Sequence, residues 1–206
     1  MFTGIVQGLA TVRRLDRKDR FMSIQVVFPD GGLQDVEKGA SIAINGVCLT
    51  VTSFEQDCAQ FDVIDETLEK TSLGTLLEGE RVNFERAAKF GSEIGGHVLS
   101  GHIVDTAKVV GRADTETNCA VHVQVQPKWI PYILSKGFVA VDGVSLTIGE
   151  VNEATHTFTV HLIPETLQRT SLGFRVVGDA LNLEIDAMTQ AVVETVRRVM
   201  AAKYQG

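Results

Sequence analysis

The sequence predicts an all-β protein: two tandem six-stranded antiparallel β-barrels, Greek-key-like, followed by one C-terminal α-helix. Three observations predict it. A phrase running from Ala40 to Val51 returns as Gly137 to Ile148, so that Asn45-Gly46 becomes Asp142-Gly143 at an offset of 97 residues. Short alternating segments recur in both halves, separated by turn residues rather than by crossover helices. After Asp186 the apolar spacing changes from alternation to a helical 4-3-4-3 stripe.

In the first half the alternating segments lie near 4–14, 22–28, 41–44, 47–54, 60–65 and 81–86, and in the second near 102–111, 119–126, 138–141, 144–151, 157–163 and 180–185. Asn45-Gly46 and Asp142-Gly143 are hairpin signals, because a type I′ turn needs positive φ at both central residues. Each turn feeds an apolar face, Val47-Leu49-Val51 or Val144-Leu146-Ile148, with Cys48 and Thr50 or Ser145 and Thr147 on the other side. Such a polar face ordinarily just meets water. Its repetition points instead to two similar ligand sites.

The repeat runs on through Glu66–Gly74 and Glu165–Gly173, then Gly79–Glu85 and Gly178–Glu184, at an offset of 99, which predicts a two-residue insertion near Pro164. Thr67 to Gly74 and Thr166 to Gly173 are expected to be one or two helical turns, each stopped by its glycine. Thr3-Gly4-Ile5-Val6 is echoed by Gly101-His102-Ile103-Val104, which aligns Gly4 with His102. The expected domains are a first barrel over 1–97, a second over 98–186 and a helix over 187–206, with the seam in the glycine-rich stretch Gly91 to Gly101.

In the helix, Met188, Val192, Thr195, Val199 and Ala202 form the stripe, widened by Val193, Val196 and Met200. Glu194 can pair with Arg198 one turn on, and Lys203 suits the negative end of the dipole. Four or five turns are too short to be stable alone. Spacing leaves two docking options open: the helix's own barrel, or a seam with copies in other subunits.

The chain of 206 residues suits one large domain or two of about 100. Its formal charge of −7 excludes the basic footprint of a nucleic-acid binder. No run of about 18 apolar residues exists, so no membrane span is expected. Met1 to Gly8 lacks a basic segment followed by an apolar one, so no signal peptide is expected either. Three widely spaced cysteines, Cys48, Cys58 and Cys119, fit a reducing cytoplasm better than a disulfide framework.

His97 and His102 lie five apart, as do His156 and His161, a spacing that turns the rings to opposite faces of a strand. Without a Cys-x-x-Cys or His-x-x-x-His pair, no metal site is expected. Gly91-Ser92-Glu93-Ile94-Gly95-Gly96 lacks the Lys-Ser/Thr ending of a phosphate loop and reads as a linker. Neither a dinucleotide fingerprint nor a serine nucleophile elbow is present. Where the halves differ, at Cys48 against Ser145, Asp186 against Ala87 and His102 against Gly4, two otherwise similar sites would differ in function.

Met1-Phe2-Thr3-Gly4-Ile5-Val6, Asn45-Gly46-Val47-Cys48-Leu49-Thr50-Val51, Gly95-Gly96-His97-Val98-Leu99-Ser100-Gly101-His102, Lys136-Gly137-Phe138, Asp142-Gly143-Val144-Ser145-Leu146-Thr147, Leu162-Ile163-Pro164-Glu165-Thr166-Leu167 and Glu184-Ile185-Asp186 together resemble the riboflavin synthase family, α-chain type. The resemblance covers the whole chain. It implies a homotrimer held by the C-terminal helices, with one 6,7-dimethyl-8-ribityllumazine per barrel and no metal or redox cofactor. The implied reaction is a dismutation, in which one lumazine gives four carbons to the other, yielding riboflavin and 5-amino-6-(ribitylamino)uracil. The working site would pair the first barrel of one subunit with the second barrel of a neighbour.

By the same resemblance, the first-barrel site uses Cys48, Leu49 and Thr50, the segment Asp62-Val63-Ile64-Asp65-Glu66-Thr67, and Gly101-His102-Ile103. The second-barrel site uses Gly4-Ile5-Val6, Lys136, Ser145-Leu146-Thr147 and Leu162 to Leu167, with Ile163, Pro164, Glu165 and Thr166 between. His102 is the expected proton-transfer group. Cys48 or Ser145 would add to a ring carbon or hold the water that does. Lys136 and Asp186 complete the expected catalytic set. Juxtaposing two bound reactants would itself supply part of the acceleration. Two rivals remain: a lumazine or flavin antenna protein of the same superfamily, and a structural β-protein with no small ligand.

Overall fold

The computed structural model describes residues 1–204 of the chain. Period-two alternation writes the strands. β1 (Gly8–Lys18), β2 (Phe21–Val27), β3 (Ser41–Ile44), β4 (Val47–Glu55), β5 (Cys58–Ile64) and β6 (Arg81–Arg86) close into a barrel in the order β1-β2-β5-β4-β3-β6. β7 (Asp105–Asp114), β8 (Cys119–Gln124), β9 (Phe138–Val141), β10 (Val144–Asn152), β11 (Thr157–Leu162) and β12 (Ala180–Ile185) close a second in the same relative order. Pairing is antiparallel throughout. Short helices α1 (Asp65–Lys70) and α2 (Pro164–Arg169) follow the fifth strand of each barrel, and α3 (Ala187–Tyr204) follows the last.

Each barrel folds around its own core. Met22, Ile24, Ile42 and Phe61 fill the first, and Ile148, Phe158, Leu162 and Leu181 the second. Each such side chain contributes roughly 1.5–3 kcal/mol by leaving water. Closure also removes the unpaired edges that an open sheet would expose.

Two local expectations are corrected. The two-residue insertion lies in the β10–β11 hairpin, not near Pro164: Glu55 pairs with Cys58 across a tight turn, whereas Asn152 pairs with Thr157 across a longer one. The carboxamide oxygen of Asn152 accepts from Ala154 and Thr155 and so supports the longer loop. α1 and α2 are not stopped by glycines. Thr71 and Thr170 leave the helix in extended conformation, and their hydroxyls donate to the carbonyls of Thr67 and Thr166 at 2.6 and 2.7 Å. Gly74 and Gly173 are needed for space, since a Cβ there would meet the carbonyl oxygens of Leu68 and Leu167 at 2.5 and 1.9 Å.

The barrels join through their two phrase turns. Asn83 and Asn182 make the junction nearly two-fold symmetric. Asn83 accepts from the Ser171 amide and donates to the Asp142 carbonyl, while Asn182 accepts from the Ser72 amide and donates to the Asn45 carbonyl, all at 2.7–2.8 Å. Asn45 and Asp142 each accept the amide of their own barrel's asparagine at 2.8 Å. One difference breaks the symmetry. Asp142, fully buried, binds Arg175 at 2.9 Å, whereas in the first barrel the equivalent positions hold neutral Asn45 and Leu76, which is buried in the core.

Candidate functional site

A second correction of alignment concerns where the repeats begin, and it builds the candidate sites. Residues 2–6 do not enter the first barrel; they cross to the second, and residues 99–103 cross to the first. Phe2 and Leu99 bridge antiparallel where the segments pass. Val6 packs in the core of the second barrel and Ile103 against that of the first. The first strand therefore starts at Gly8 rather than near residue 4, and its counterpart at Asp105.

Hydrogen bonding fixes the equivalence. The Gly4 carbonyl accepts the Ser145 amide at 2.8 Å, and the Gly101 carbonyl accepts the Cys48 amide at 2.9 Å. Glu85 accepts from the amide and hydroxyl of Thr3 and the amide of Gly4; Glu184 accepts from the amide and hydroxyl of Ser100 and the amide of Gly101. Burial pushes both carboxyls above the usual range, although these donors pull the other way. Gly4 thus matches Gly101, not His102, and His102 stands opposite Ile5. Both glycines hold positive φ, and a Cβ on either would strike the Cβ of Ser145 or Cys48 at 2.5–2.6 Å.

The first candidate site is an outer barrel face. Cys48 is half-buried and Thr50 exposed on β4. β5 runs alongside from the Val51–Phe61 pair, which places Asp62 and Ile64 on the same face. Gly101 and exposed His102 close one end. The second site repeats this plan with Ser145 and Thr147 on β10, Ile163 beyond β11, and Gly4 and exposed Ile5 at the end. Ile64 and Ile163 stay about 60% exposed, 59% and 60%, so each face offers an apolar slab beside small polar groups and is open to solvent.

Other expected residues take different places. Leu49, Val63, Leu146, Leu162 and Val6 point into the cores, so they give the outer faces backbone only. Asp65 pairs with Arg20, Glu66 with Lys70 and Glu165 with Arg169, in solvent-facing ion pairs. Pro164 opens α2, with Thr166 and Leu167 half-buried in it as Thr67 is in α1. Lys136 sits at φ +67 just before β9 with its amide on the Ile148 carbonyl, in a conformation that Gly39 adopts freely in the first barrel.

Asp186 caps α3, accepting the amide and hydroxyl of Thr189 at 2.8 and 2.7 Å. Burial works to raise its pKa, but those donors outweigh burial and hold the carboxyl below the usual range. His97 is the residue that sequence reasoning missed. It is buried, its Nδ1 lies 2.6 Å from Ser145 Oγ, and its ring stacks on Phe138. Its place in the Gly-Gly-His run was visible, but its partner lies 48 residues away. α3 docks through Val193, Glu194 and Arg197, the last two on the Tyr132 hydroxyl, while Met188, Val192, Val196 and Val199 remain exposed.

Similarity to known proteins follows the same two-part plan. The lumazine binding domain matches residues 3–87 and again 100–186. The riboflavin synthase of Escherichia coli (strain K12) is 52% identical over 204 residues, 98% of this chain and 95% of that one. The riboflavin synthase of Chlamydia pneumoniae is 40% identical over 202 residues, 98% of each. Among solved structures, LumP complexed with riboflavin superposes with a TM-score of 0.84 at 30% identity, over 90% of this chain and 100% of that one. LumP complexed with 6,7-dimethyl-8-(1'-D-ribityl) lumazine gives 0.82 at 28% identity, over 90% and 99%.

Proposed function

The chain belongs to the riboflavin synthase family of transferases, and on that premise we propose that it converts two molecules of 6,7-dimethyl-8-ribityllumazine into riboflavin and 5-amino-6-(ribitylamino)uracil. The observation that carries this reading is the pair of matching outer faces, each made from one barrel's small polar pair and a crossing segment from the other half. A reaction that consumes two copies of one substrate needs two related faces.

The flat heterocycle would lie on Ile64 or Ile163, with Cys48-Thr50 or Ser145-Thr147 at its polar edge. On one lumazine the C7 methyl loses a proton; the resulting carbanion attacks C7 of the other. His102, exposed and free to reach a ligand on the first face, is the proton carrier in this scheme. Cys48 or Ser145 adds to, or holds water against, the electrophilic ring carbon. Asp186 is occupied by the helix cap, so its part is to set α3. Lys136 borders the second face.

Each face is open, and a reaction that must exclude water requires a lid. The exposed stripe of α3 supports a homotrimer that brings the first face of one subunit onto the second face of its neighbour. Mixing purified protein with the lumazine tests the activity: riboflavin absorbance should grow with the diamino-uracil product in equal amount. Fluorescent binding without turnover would favour the rival reading, a non-catalytic lumazine or flavin binder, to which the likeness to LumP complexed with this lumazine lends weight.

A further inference from the structure

Ser145 and Cys48 hold equivalent positions, yet their surroundings differ. Cys48 packs against the apolar cluster of Phe2, Ala43, Leu99 and Ala140. Ser145 Oγ instead lies 2.6 Å from Nδ1 of His97. That imidazole is held on three sides. Its own amide donates to the Thr3 carbonyl at 3.1 Å, its ring stacks on Phe138 with centroids 5.2 Å apart and planes 19° from parallel, and only 7% of the residue is exposed. Nε2 is buried with no hydrogen-bond partner among the described residues. An orphaned ring nitrogen costs free energy without return unless the other nitrogen has a task.

We propose that His97 is a positioning residue for Ser145: neutral and protonated on Nε2, it accepts the serine hydroxyl hydrogen at Nδ1 and turns the lone pairs of Oγ toward the outer face of the second barrel. The proposal rests on the reading that this face takes a lumazine. A neutral imidazole offers one acceptor and one donor, so this tautomer fixes the hydroxyl rotor, which otherwise spins among three positions. A serine oxygen with its hydrogen turned away suits addition to an electrophilic ring carbon, or holding a water against one. The first barrel gives Cys48 no such partner, so the two faces are chemically unequal although built on one plan.

The surroundings keep the ring neutral. Burial pushes its pKa down, while Asp186, the one charged group acting on it among the described residues, pulls up more weakly. Phe138, Ser145 and Thr3, which touch it from the other sides, carry no charge. Protonation would make Nδ1 a donor and reverse the bond, so turnover should fall as acid converts His97 to imidazolium, below the ordinary histidine range.

Two substitutions at His97, a double variant with Ser145→Ala and one spectrum test it. His97→Phe keeps the stacked ring and removes both nitrogens; its kcat should drop about 10- to 100-fold with KM changed less than about threefold. His97→Asn returns an acceptor near the Nδ1 position that does not titrate; it should recover most of the rate and lose the acid limb of the pH profile. Adding His97→Phe to Ser145→Ala should cost nothing further. An unchanged kcat, a loss confined to KM, or losses that multiply would overturn the proposal. Independently of turnover, ¹⁵N spectra of the histidine-labelled full chain should show His97 Nδ1 unprotonated at neutral pH; a proton on Nδ1 overturns the assignment. That spectrum also separates the two failures, since a wild-type protein that makes no riboflavin would refute the activity while leaving the tautomer intact.

Discussion

Gly46 and Gly143 meet back to back where the barrels join: a Cβ on Gly46 would fall 2.6 Å from the Gly143 amide nitrogen. Both hold positive φ, +80° and +78°. The contact leaves room for no side chain, which is why both copies of the turn end in glycine. Gly46→Ala should therefore destabilise the fold by about 2–5 kcal/mol, combining left-handed backbone strain with overpacking. Urea unfolding measures it, and a loss under about 0.5 kcal/mol would contradict the close approach.

The crossing glycines allow each face to be closed separately. Gly101→Ala drives a methyl into Cys48, and Gly4→Ala drives one into Ser145. Each variant should bind one lumazine per chain where the wild type binds two, by isothermal titration. A stoichiometry of two in Gly101→Ala would show that the crossing segment plays no part in the first face.

The junction carries a designed exchange of chemistry. Asp142→Asn should cost about 3–5 kcal/mol, because it leaves Arg175 unpaired beside a buried site. Adding Arg175→Leu gives the second barrel the neutral Asn and Leu that the first barrel has at these two positions and should recover most of that loss. Chemical denaturation of both single variants and the double variant gives the coupling; simple additivity would show that the ion pair is not the reason for the asymmetry.

Asp186 ties stability to acid. Its folded pKa is lowered, so its contribution is complete above the unfolded aspartate value and disappears as pH falls through the folded one. Asp186→Ala should cost about 1 kcal/mol at neutral pH, the usual worth of a helix cap. The gap between wild type and variant in thermal melts should shrink steadily below pH 4, approximately the ordinary aspartate pKa. A gap that stays constant down to acid would refute the assignment.

The exposed stripe of α3 gives a test of assembly. Val192→Glu with Val199→Glu should yield monomers by sedimentation velocity that still bind lumazine but lose most turnover. Fully active monomers would sink the shared-site proposal.

Duplication explains how much of this was legible in the chain. Strand boundaries near 41–44, 81–86, 138–141 and 180–185 coincide with those observed, because positive-φ turn residues bound these short runs, Gly39 and Asn45-Gly46, Gly79, Asp142-Gly143 and Gly178 among them. Cys48 and Ser145 were visible as sites because a repeated small polar pair has no packing reason to recur. The exchange of residues 2–6 and 99–103 between barrels was not legible, since an extended segment carries the same pattern whichever barrel it lies on. His97 escaped for a related reason: its meaning depends on Ser145, which only folding brings within 2.6 Å.

The sequence by itself determined the two barrels, the helix and the family, because periodicity and repetition are properties of a line. Tertiary structure alone decided which half completes which face, and which of two matching positions receives a histidine. Those are meetings between distant residues, and a line holds no record of distance.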